Sequence, residues 1–426
     1  MKWIKACSGF GLAAALLLTG CTTEKSEPAQ KPESQAKPVE HDYATLSIVG
    51  IGDVHGHVEQ MAQLGGYLNA LRGQRNREGG KVLVLDSGDI FQGTLESNLG
   101  EGAAMVHAYR ALKVKAAALG NHEFDFGPVG PNATPKGKDE NPRGALEARA
   151  KEASFTFLAA NLYKQGADPA TDTGPVPIEG VKRSMQVTVV GINVGIIGGM
   201  TEEALSMTHA DNVRDLQVGP LAPALAREAA ALRAKGSQVI VALVHAGGDC
   251  KDLKHPDDVT SCNDGEVFKV ARALPEHSVD VIVAGHTHSG IAQRVNGVAI
   301  IQSFANGHAF GRVDVRFDRT TQKVERVDIK PPQELCLMGL DGKPASDAKC
   351  PKGSKYEGRL VLPDPAVRKA VKADIEAAKS KRDEALGVTL AKPINRVLTE
   401  ESPLGNLAAD VLLRAVPRAD AAFNNG

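Results

Sequence analysis

Side chains that bind metal ions follow five separate apolar segments of this sequence. Each segment is short and consists mainly of Val, Ile, Leu or Ala. In chain order they are followed by Gly-Asp-Val-His-Gly (52–56), Asp-Ser-Gly-Asp (86–89), Gly-Asn-His-Glu (120–123), His245 and Gly-His-Thr-His (285–288). Carboxylate, amide and imidazole groups are the ligands that divalent transition metals take in proteins. The pattern therefore predicts a metal centre assembled from five distant parts of the chain.

The elements that must position these side chains follow from the alternation of apolar segments with stretches at helical spacing, which is typical of an α/β domain with buried strands. The predicted strands are 45–51, 82–85, 116–119, 157–160, 186–190, 194–197, 239–244 and 279–284. The predicted helices are 58–72, 103–112, 220–234 and 266–274. Because ligands of open α/β sheets gather beyond the carboxyl ends of the strands, we expect the five segments to deliver their side chains to one edge.

Taken in this order, the motifs resemble those of the calcineurin-like metallophosphoesterases. The segments Asn121-His122-Glu123-Phe124-Asp125, Ala159-Ala160-Asn161 and Glu401-Ser402-Pro403-Leu404-Gly405-Asn406-Leu407 resemble the 5′-nucleotidase branch of that family. The resemblance covers residues 45–330 and, less closely, 386–426. It implies a layered β-sandwich metallophosphoesterase domain flanked by helices, an interdomain helix and a partial α/β C-terminal domain.

The resemblance also implies a ligand set for two divalent metal ions. One ion would take Asp53, His55, Asp89 and His288, and the other Asp89, Asn121, His245 and His286. Asp89 would bridge the two ions, because one shared anion holds together two dications that repel each other. Mixed nitrogen and oxygen ligands suit Zn, Mn, Fe or Co, and the sequence does not choose among them.

Two further residues are expected to act beside the metals. The resemblance implies that His122 stabilises the transition state or protonates the leaving group, and that Asp125 orients the imidazole of His122. His57 lies near the first motif and His308 near a later strand end, but neither is assigned a direct role. Substrate contacts cannot be named from the sequence.

The N-terminus has the pattern of an export signal. Lys2 and Lys5 precede a short apolar run, and Leu-Thr-Gly-Cys at 18–21 resembles a bacterial lipobox. We therefore expect a lipoprotein signal peptide at 1–20, lipidation of Cys21 and a disordered tether at 21–42. The alternative is an ordinary signal peptide with a chance cysteine. The expected location is the cell envelope, anchored by lipid, in the periplasm or at the surface. Resemblance to lipoproteins of two-membrane bacteria favours the outer membrane.

Four cysteines remain beyond the anchor. Local disulfides Cys250–Cys262 and Cys336–Cys350 are the simplest of three pairings in an exported protein. A zinc site of four thiolates is the alternative, but neither pair has the close spacing of zinc-binding cysteines.

The expected domain order places the catalytic domain at 43–330 and a linker with an interdomain helix at 331–385. That helix is predicted at about 365–385, with Asp364 as its N-cap and Pro365 at its first position. Residues 386–426 correspond to the start of the substrate-binding domain of 5′-nucleotidases. We expect this domain to be incomplete, because the family continues beyond the position of residue 426.

Composition limits the partners. Lys and Arg number 50 against 51 Asp and Glu, and aromatic residues make up 4% of the chain, which argues against a nucleic-acid polymer as partner. The leading prediction is a 5′-nucleotidase with a nucleotide substrate and a membrane anchor. Alternatives are a 2′,3′-cyclic phosphodiesterase, a nucleotide-sugar pyrophosphatase, a thiosulfohydrolase, or a non-catalytic lipoprotein that binds metal or nucleotide. The oligomeric state is not indicated.

Overall fold

The computed structural model describes residues 41–336, 339–340, 343, 354–395, 397, 400–416 and 419–422. The predicted signal peptide, the lipidated Cys21, the tether up to residue 40 and Cys350 lie outside these residues. Within the described part of the chain, no helix combines the length and apolar character needed to cross a membrane.

The described strands and helices follow one another in an irregular alternation. The strands are β1 (Tyr43–Ile51), β2 (Lys81–Asp86), β3 (Val114–Ala118), β4 (Thr156–Leu158), β5 (Leu162–Lys164), β6 (Val181–Lys182), β7 (Ser184–Val189), β8 (Ile192–Met200), β9 (Leu216–Val218), β10 (Val239–His245), β11 (Val281–Ala284), β12 (Gly290–Val295), β13 (Val298–Ser303), β14 (Ala309–Asp318), β15 (Lys323–Glu334), β16 (Lys355–Tyr356) and β17 (Arg359–Leu360). The helices are α1 (Val58–Arg77), α2 (Leu95–Asn98), α3 (Ala103–Leu112), α4 (Gly144–Glu152), α5 (Ala210–Val213), α6 (Leu221–Ala234), α7 (Glu266–Ala273), α8 (Pro365–Ala370), α9 (Lys372–Arg382) and α10 (Pro403–Ala415).

Two large mixed sheets face each other. The first has the order β15-β14-β1-β2-β3-β4-β6 and is parallel from β1 to β6, whereas β14 and β15 are antiparallel additions. The second has the order β12-β13-β11-β10-β8-β7, with parallel strands at its centre and an antiparallel strand at each edge. This arrangement confirms the predicted layered β-sandwich.

The core between the sheets explains why the central strands are almost continuously apolar. Leu46, Ile48 and Leu85 of the first sheet pack against Val241 and Leu243 of the second. Helices α1 and α3 cover the outer face of the first sheet, and α6 and α7 cover that of the second. Strands that are buried on both faces need apolar residues at successive positions rather than at alternate ones.

The C-terminal helix predicted at about 365–385 is divided in the structure. Asp364 caps α8 as predicted, because its carboxylate accepts a hydrogen bond from the Ala366 N–H at 2.8 Å. The helical segment is interrupted at Val371, and α9 ends at Arg382. Nδ1 of His107 on α3 lies at hydrogen-bond distance, 2.9 Å, from Oδ2 of Asp374 on α9. The role of this segment as an interdomain helix stays a prediction.

One of the two predicted disulfides is present. Cys250 and Cys262 are joined by a disulfide bond, as predicted. Cys336 is also disulfide-bonded, but Cys350 lies outside the described residues, so the pairing of these two stays a prediction.

Glu123 ties together the loops that follow β2 and β3. Its buried carboxylate accepts hydrogen bonds from the backbone N–H groups of Asp89 (2.8 Å), Ile90 (2.7 Å) and Gly120 (2.7 Å). These three N–H groups belong to irregular segments and have no partner on a neighbouring strand. The carboxylate of Glu123 therefore supplies the acceptor that a β-sheet would otherwise provide. One side chain therefore holds two strand ends in a fixed relation.

We predict that Glu123→Gln destabilises the metal-free protein by about 1–3 kcal/mol, because the amide nitrogen cannot accept a hydrogen bond and at least one buried N–H group loses its acceptor. The free energy of unfolding in urea measures this change. The exposed Glu276 provides the matched control, and Glu276→Gln should change the stability by less than about 0.5 kcal/mol. Equal stability of the two variants would refute the structural role of Glu123.

A second buried charge cluster fastens α1 to the first sheet. The carboxylate of Asp314 on β14 accepts hydrogen bonds from Arg75 on α1 (3.1 Å), from the Ser47 hydroxyl (2.5 Å) and from Arg312 (2.6 Å). Burial opposes ionisation of Asp314, but the hydrogen bond and the charge of Arg312 outweigh it and lower the pKa of Asp314. The ionised carboxylate is therefore part of the folded structure.

We predict that Asp314→Asn lowers the free energy of unfolding at pH 7 by about 3 kcal/mol, because the buried guanidinium groups of Arg75 and Arg312 each lose one of their two carboxylate partners. Since the pKa of Asp314 is depressed in the folded state, its contribution is complete above the usual Asp pKa of about 3.9 and is lost as the pH falls through the folded-state pKa. Urea titrations of wild type and variant should therefore converge in acid. The exposed Asp257, which pairs with Arg294, serves as the control residue. A difference in stability between wild type and Asp314→Asn that does not change with pH would contradict an ionic origin of the Asp314 contribution.

Candidate metal centre

The seven predicted metal ligands lie together at one end of the sandwich. Five strands deliver them: β1 is followed by Asp53 and His55, β2 by Asp89, β3 by Asn121, β10 ends at His245, and β11 is followed by His286 and His288. Three of these strands belong to the first sheet and two to the second. The centre is therefore formed where the carboxyl ends of both sheets meet.

The donor atoms form two groups of three that could each hold a metal ion. In the first group, Nε2 of His288 lies 3.0 Å from Nε2 of His55 and 3.7 Å from Oδ1 of Asp53. In the second group, Nε2 of His245 lies 3.2 Å from Nδ1 of His286 and 3.1 Å from Oδ2 of Asp89.

Asp89 and Asn121 extend these groups. Oδ2 of Asp89 lies 3.8 Å from Nε2 of His55 and 3.1 Å from Nε2 of His245, so one carboxylate oxygen contacts both groups. Oδ1 of Asn121 lies 3.2 Å from Nε2 of His245, and the amide nitrogen of Asn121 donates to the Met207 carbonyl at 3.4 Å. The carbonyl partner fixes the amide so that its oxygen points into the centre.

Hydrogen bonds outside the centre orient two of the imidazoles. Nδ1 of His55 lies 3.0 Å from the Gln92 carbonyl, and Nδ1 of His245 lies 3.0 Å from the Ser87 carbonyl. A carbonyl only accepts, so each Nδ1 carries the proton and donates it. Nε2 is therefore the atom that each ring presents to the centre, and it can bind a metal ion once it carries no proton.

The electrostatics of the centre also favour a cation. Burial raises the pKa of Asp53 to about 7, and burial lowers the pKa values of His55 and His286 to about 4. The imidazoles of His55 and His286 are therefore neutral, which is the form that ligates metals. Burial opposes ionisation of Asp89, but the charge of His245 outweighs it and lowers the pKa of Asp89. Burial opposes protonation of His245, but the charge of Asp89 outweighs it and raises the pKa of His245 to about 10, so the centre attracts positive charge of the kind that divalent metal ions would supply.

Most of the donor residues have a left-handed backbone. The φ angles are 51° at Asp53, 49° at His55, 56° at Asp89, 76° at His286 and 55° at His288. A non-glycine residue pays about 1–2 kcal/mol for this conformation. Strained conformations of this kind persist only where the surrounding structure imposes them, and they cluster at functional sites.

Two glycines allow the ligand segments to approach closely. A Cβ at Gly120 would lie 2.1 Å from Oδ1 of Asp89, and a Cβ at Gly52 would lie 2.0 Å from Oγ of Ser87. At Gly120 the added Cβ would also lie 2.6 Å from the backbone nitrogen of Asp89, so this position requires glycine, whereas at Gly52 a Cβ would force the Ser87 hydroxyl to rotate away.

His122 and Asp125 form the predicted pair beside the centre. Nδ1 of His122 lies 2.5 Å from Oδ2 of Asp125, and the hydroxyl of Thr208 donates to the other oxygen of Asp125 at 2.8 Å. The ring centroid of His122 lies 5.3 Å from that of His55. Burial opposes protonation of His122, but the hydrogen bond to Asp125 and the charge of Asp89 raise the pKa of His122 to about 9.

Some residues of the site were not identified from the sequence. No sequence pattern indicated that Glu123 accepts backbone hydrogen bonds, that Thr208 donates to Asp125, or that the Met207 carbonyl accepts from Asn121. His57, which was assigned no direct role, pairs with Glu59 at 2.7 Å. These contacts depend on long-range packing, and only the Asn-His-Glu motif marked Glu123 as close to the centre.

Comparisons with known proteins agree with this architecture. Endonuclease YhcR of Bacillus subtilis is 24% identical over 424 residues, which cover 95% of this chain and 31% of that protein. The 5′-nucleotidase of Vibrio vulnificus is 25% identical over 364 residues, which cover 78% of this chain and 58% of that protein. The chain thus spans 31% to 58% of the length of these relatives.

A solved structure shares the fold. The 5′-nucleotidase precursor from Thermus thermophilus aligns with a TM-score of 0.57 and 23% identity over 87% of this chain and 67% of that chain. The family model described as calcineurin-like phosphoesterase matches residues 46–290, the segment that contains all seven donors as well as His122 and Asp125. With this match over more than half of its length, the chain belongs to the calcineurin-like phosphoesterase family.

Proposed function

We propose that this chain is a dinuclear-metal phosphohydrolase of the 5′-nucleotidase type, which releases phosphate and a nucleoside from nucleoside 5′-phosphates. The observation that carries the proposal is the convergence of seven nitrogen and oxygen donors beside a hydrogen-bonded His122–Asp125 pair. The relative from Vibrio vulnificus that bears the name 5′-nucleotidase supports the choice of substrate.

In this proposal Asp89 would serve both metal ions. Asp53, His55 and His288 complete one site, and Asn121, His245 and His286 complete the other. Bound divalent ions supply hydroxide near neutral pH and neutralise charge on phosphoryl oxygens. Zn, Mn, Fe and Co all accept this donor set. The contact of one Asp89 oxygen with both groups supports the shared position.

His122 has the proposed role of stabilising charge on the phosphoryl group or donating a proton to the leaving oxygen. Its Nδ1 is engaged by Asp125, so its Nε2 is the atom available to the substrate. Asp125 is in turn held by Thr208, which limits rotation of the carboxylate. The pair therefore keeps one imidazole edge in a constant orientation next to the donors.

We predict that the protein hydrolyses AMP when loaded with Zn²⁺ or Mn²⁺ and loses this activity to a chelator. His122→Ala should still bind about two ions per chain but should lose roughly 10²–10⁴-fold in kcat, the usual contribution of a positioned acid or base. Metal content by mass spectrometry and phosphate release measure the two effects separately.

The exposed His255 provides a matched control, because His255→Ala removes a surface imidazole whose ion pair is with Asp252. This variant should keep both metal content and rate. Full activity of His122→Ala would remove the proposed role of His122. Metal binding without hydrolysis of any phosphoester by the wild type would favour the alternative of a non-catalytic binding protein.

We also propose that the protein is exported and anchored by lipid on Cys21. Support comes from the N-terminal pattern and from the disulfide Cys250–Cys262, which is typical of proteins outside the reducing cytosol. In cells fed with radiolabelled palmitate, we predict that Cys21→Ser abolishes labelling of the protein. Cys7→Ser is the control and should retain the label, because Cys7 lies before the predicted cleavage position. Labelling of the Cys21 variant would contradict the anchor.

A further inference from the structure

A short chain of side-chain hydrogen bonds joins two of the segments that carry imidazole donors. Thr287 lies between the two histidines that follow β11, and its hydroxyl donates to the Gly248 carbonyl at 2.7 Å. Gly248 belongs to the segment after β10, which ends at His245. The same hydroxyl accepts a hydrogen bond from Nε2 of Gln302 on β13, also at 2.7 Å. We call Gln302, Thr287 and the Gly248 carbonyl the clasp.

The clasp acts where the sheet no longer connects these two segments. Strands β10 and β11 pair in parallel as far as Val244 and Ala284, the residues that precede the donor segments. Beyond that pair the Thr287 hydroxyl reaches across at 2.7 Å, and a longer hydrogen bond runs from the Cys250 N–H to the Gly290 carbonyl at 3.3 Å. The side chain of Thr287 thus supplies the shorter of these two links, directly beside the histidines.

The two segments also pack against each other without a gap. A Cβ at Gly247 would lie 2.3 Å from the Gly285 carbonyl oxygen and 2.4 Å from Oγ1 of Thr287. The first of these atoms belongs to the backbone and cannot rotate away. Glycine at position 247 therefore brings the segments close enough for the Thr287 hydroxyl to reach the Gly248 carbonyl.

An unpaired atom shows which way the hydrogen bonds of the clasp run. Gln302 is 1% exposed, and its buried Oε1 has no hydrogen-bond partner among the described residues. Because a carbonyl only accepts, the Thr287 hydroxyl uses its one proton on Gly248 and can only accept from Gln302. If the amide were turned over, Oε1 would take that proton and Gly248 would lose its donor. A buried polar atom is thus left unpaired, at a cost in free energy, while the link to Gly248 is kept.

The clasp joins the segments of two donors that belong to the same metal group. Nε2 of His245 lies 3.2 Å from Nδ1 of His286, and both histidines are grouped with Asp89. These two imidazoles come from different strands, so their spacing depends on how the segments after the strands are joined. Side chains behind metal ligands commonly tune metal affinity in this way.

We propose that Thr287 and Gln302 are positioning residues that set the spacing of His245 and His286, and with it the affinity of their group for a divalent ion. The inference rests on the proposed binding of two metal ions and adds two side chains outside the donor set. Thr287 holds the two segments together, and Gln302 acts through Thr287 by fixing the direction of its hydroxyl.

Metal titration by calorimetry tests the clasp. Thr287 is exposed, so Thr287→Val should leave the fold intact while it removes the hydroxyl. This variant should weaken the binding of one of the two Zn²⁺ ions about tenfold, the lower end of the usual effect of residues behind metal ligands. Thr287→Ser restores the hydroxyl and should restore the affinity.

Thr171→Val is the matched control, because it removes an exposed threonine hydroxyl that bonds to Asp168. It should leave the affinity for both Zn²⁺ ions unchanged. Equal Zn²⁺ affinities of Thr287→Val and wild type would overturn the proposal.

A spectroscopic signal separates positioning from a general loss of stability. The visible absorption of bound Co²⁺ depends on the geometry of its ligands, so Thr287→Val should change this spectrum, whereas Thr287→Ser and Thr171→Val should not. Lower stability of Thr287→Val with an unchanged Co²⁺ spectrum would show a merely structural role and would overturn the proposal.

A double substitution tests whether Gln302 acts through Thr287. Gln302→Met keeps the length of the side chain but cannot donate a hydrogen bond, so it should weaken binding of the same Zn²⁺ ion. Adding it to Thr287→Val should cause no further loss, because residues that act through one contact are not additive. Additive losses would show that Gln302 acts independently and would refute its place in the clasp.

Hydrogen exchange of the metal-free protein separates the clasp from the proposed function. Thr287→Val should speed amide exchange in residues 246–250 and 285–289, whereas Thr171→Val should not. If the wild type binds no metal ions, the proposed function fails, and this exchange result alone decides whether the clasp joins the two segments. Unchanged exchange in Thr287→Val would refute the clasp whatever the metal content.

Discussion

The metal centre depends on a backbone conformation that its donor residues do not favour on their own. Five donor residues adopt a left-handed backbone that only glycine takes readily. What holds them is the hydrogen bonding between the ligand segments, such as the N–H of Asp53 donating to the Gly88 carbonyl at 2.9 Å and that of His55 donating to the Asp89 carbonyl at 3.0 Å. The strained turns therefore support one another, and the two packed sheets beneath them provide the rigidity that each turn lacks alone.

The parts of the fold that the sequence predicted are those controlled by local pattern. The central strands are buried on both faces, so their apolar runs are unambiguous, and the side chains that follow them share one edge by the geometry of parallel strands. This geometry predicted where the side chains would meet, and the resemblance to the calcineurin-like metallophosphoesterases implied which seven of them would be the donors. The disulfide Cys250–Cys262 was predictable because its cysteines are close in sequence.

Other features depend on contacts that sequence patterns do not report. The helix expected at about 365–385 is interrupted at Val371, whose side chain is buried in the core that also contains residues of α1 and α3. Glu123 is part of a recognisable motif, yet its role as acceptor for three N–H groups comes from two loops meeting in space. The left-handed conformations at Asp53 and His288 had no counterpart in the sequence pattern, because Asp and His are ordinary residues at strand ends.

The close approach at Gly52 and Gly120 has a consequence for how such a protein can change. An added carbon atom at either position would collide with Ser87 or Asp89, whereas His308 and Glu334, which line a cavity beside His288, are exposed. Substitutions at the exposed residues can therefore change the lining of the cavity without disturbing the packing around the two glycines. A lineage built on this scaffold could acquire new substrates through a few surface replacements while its inner framework stayed invariant.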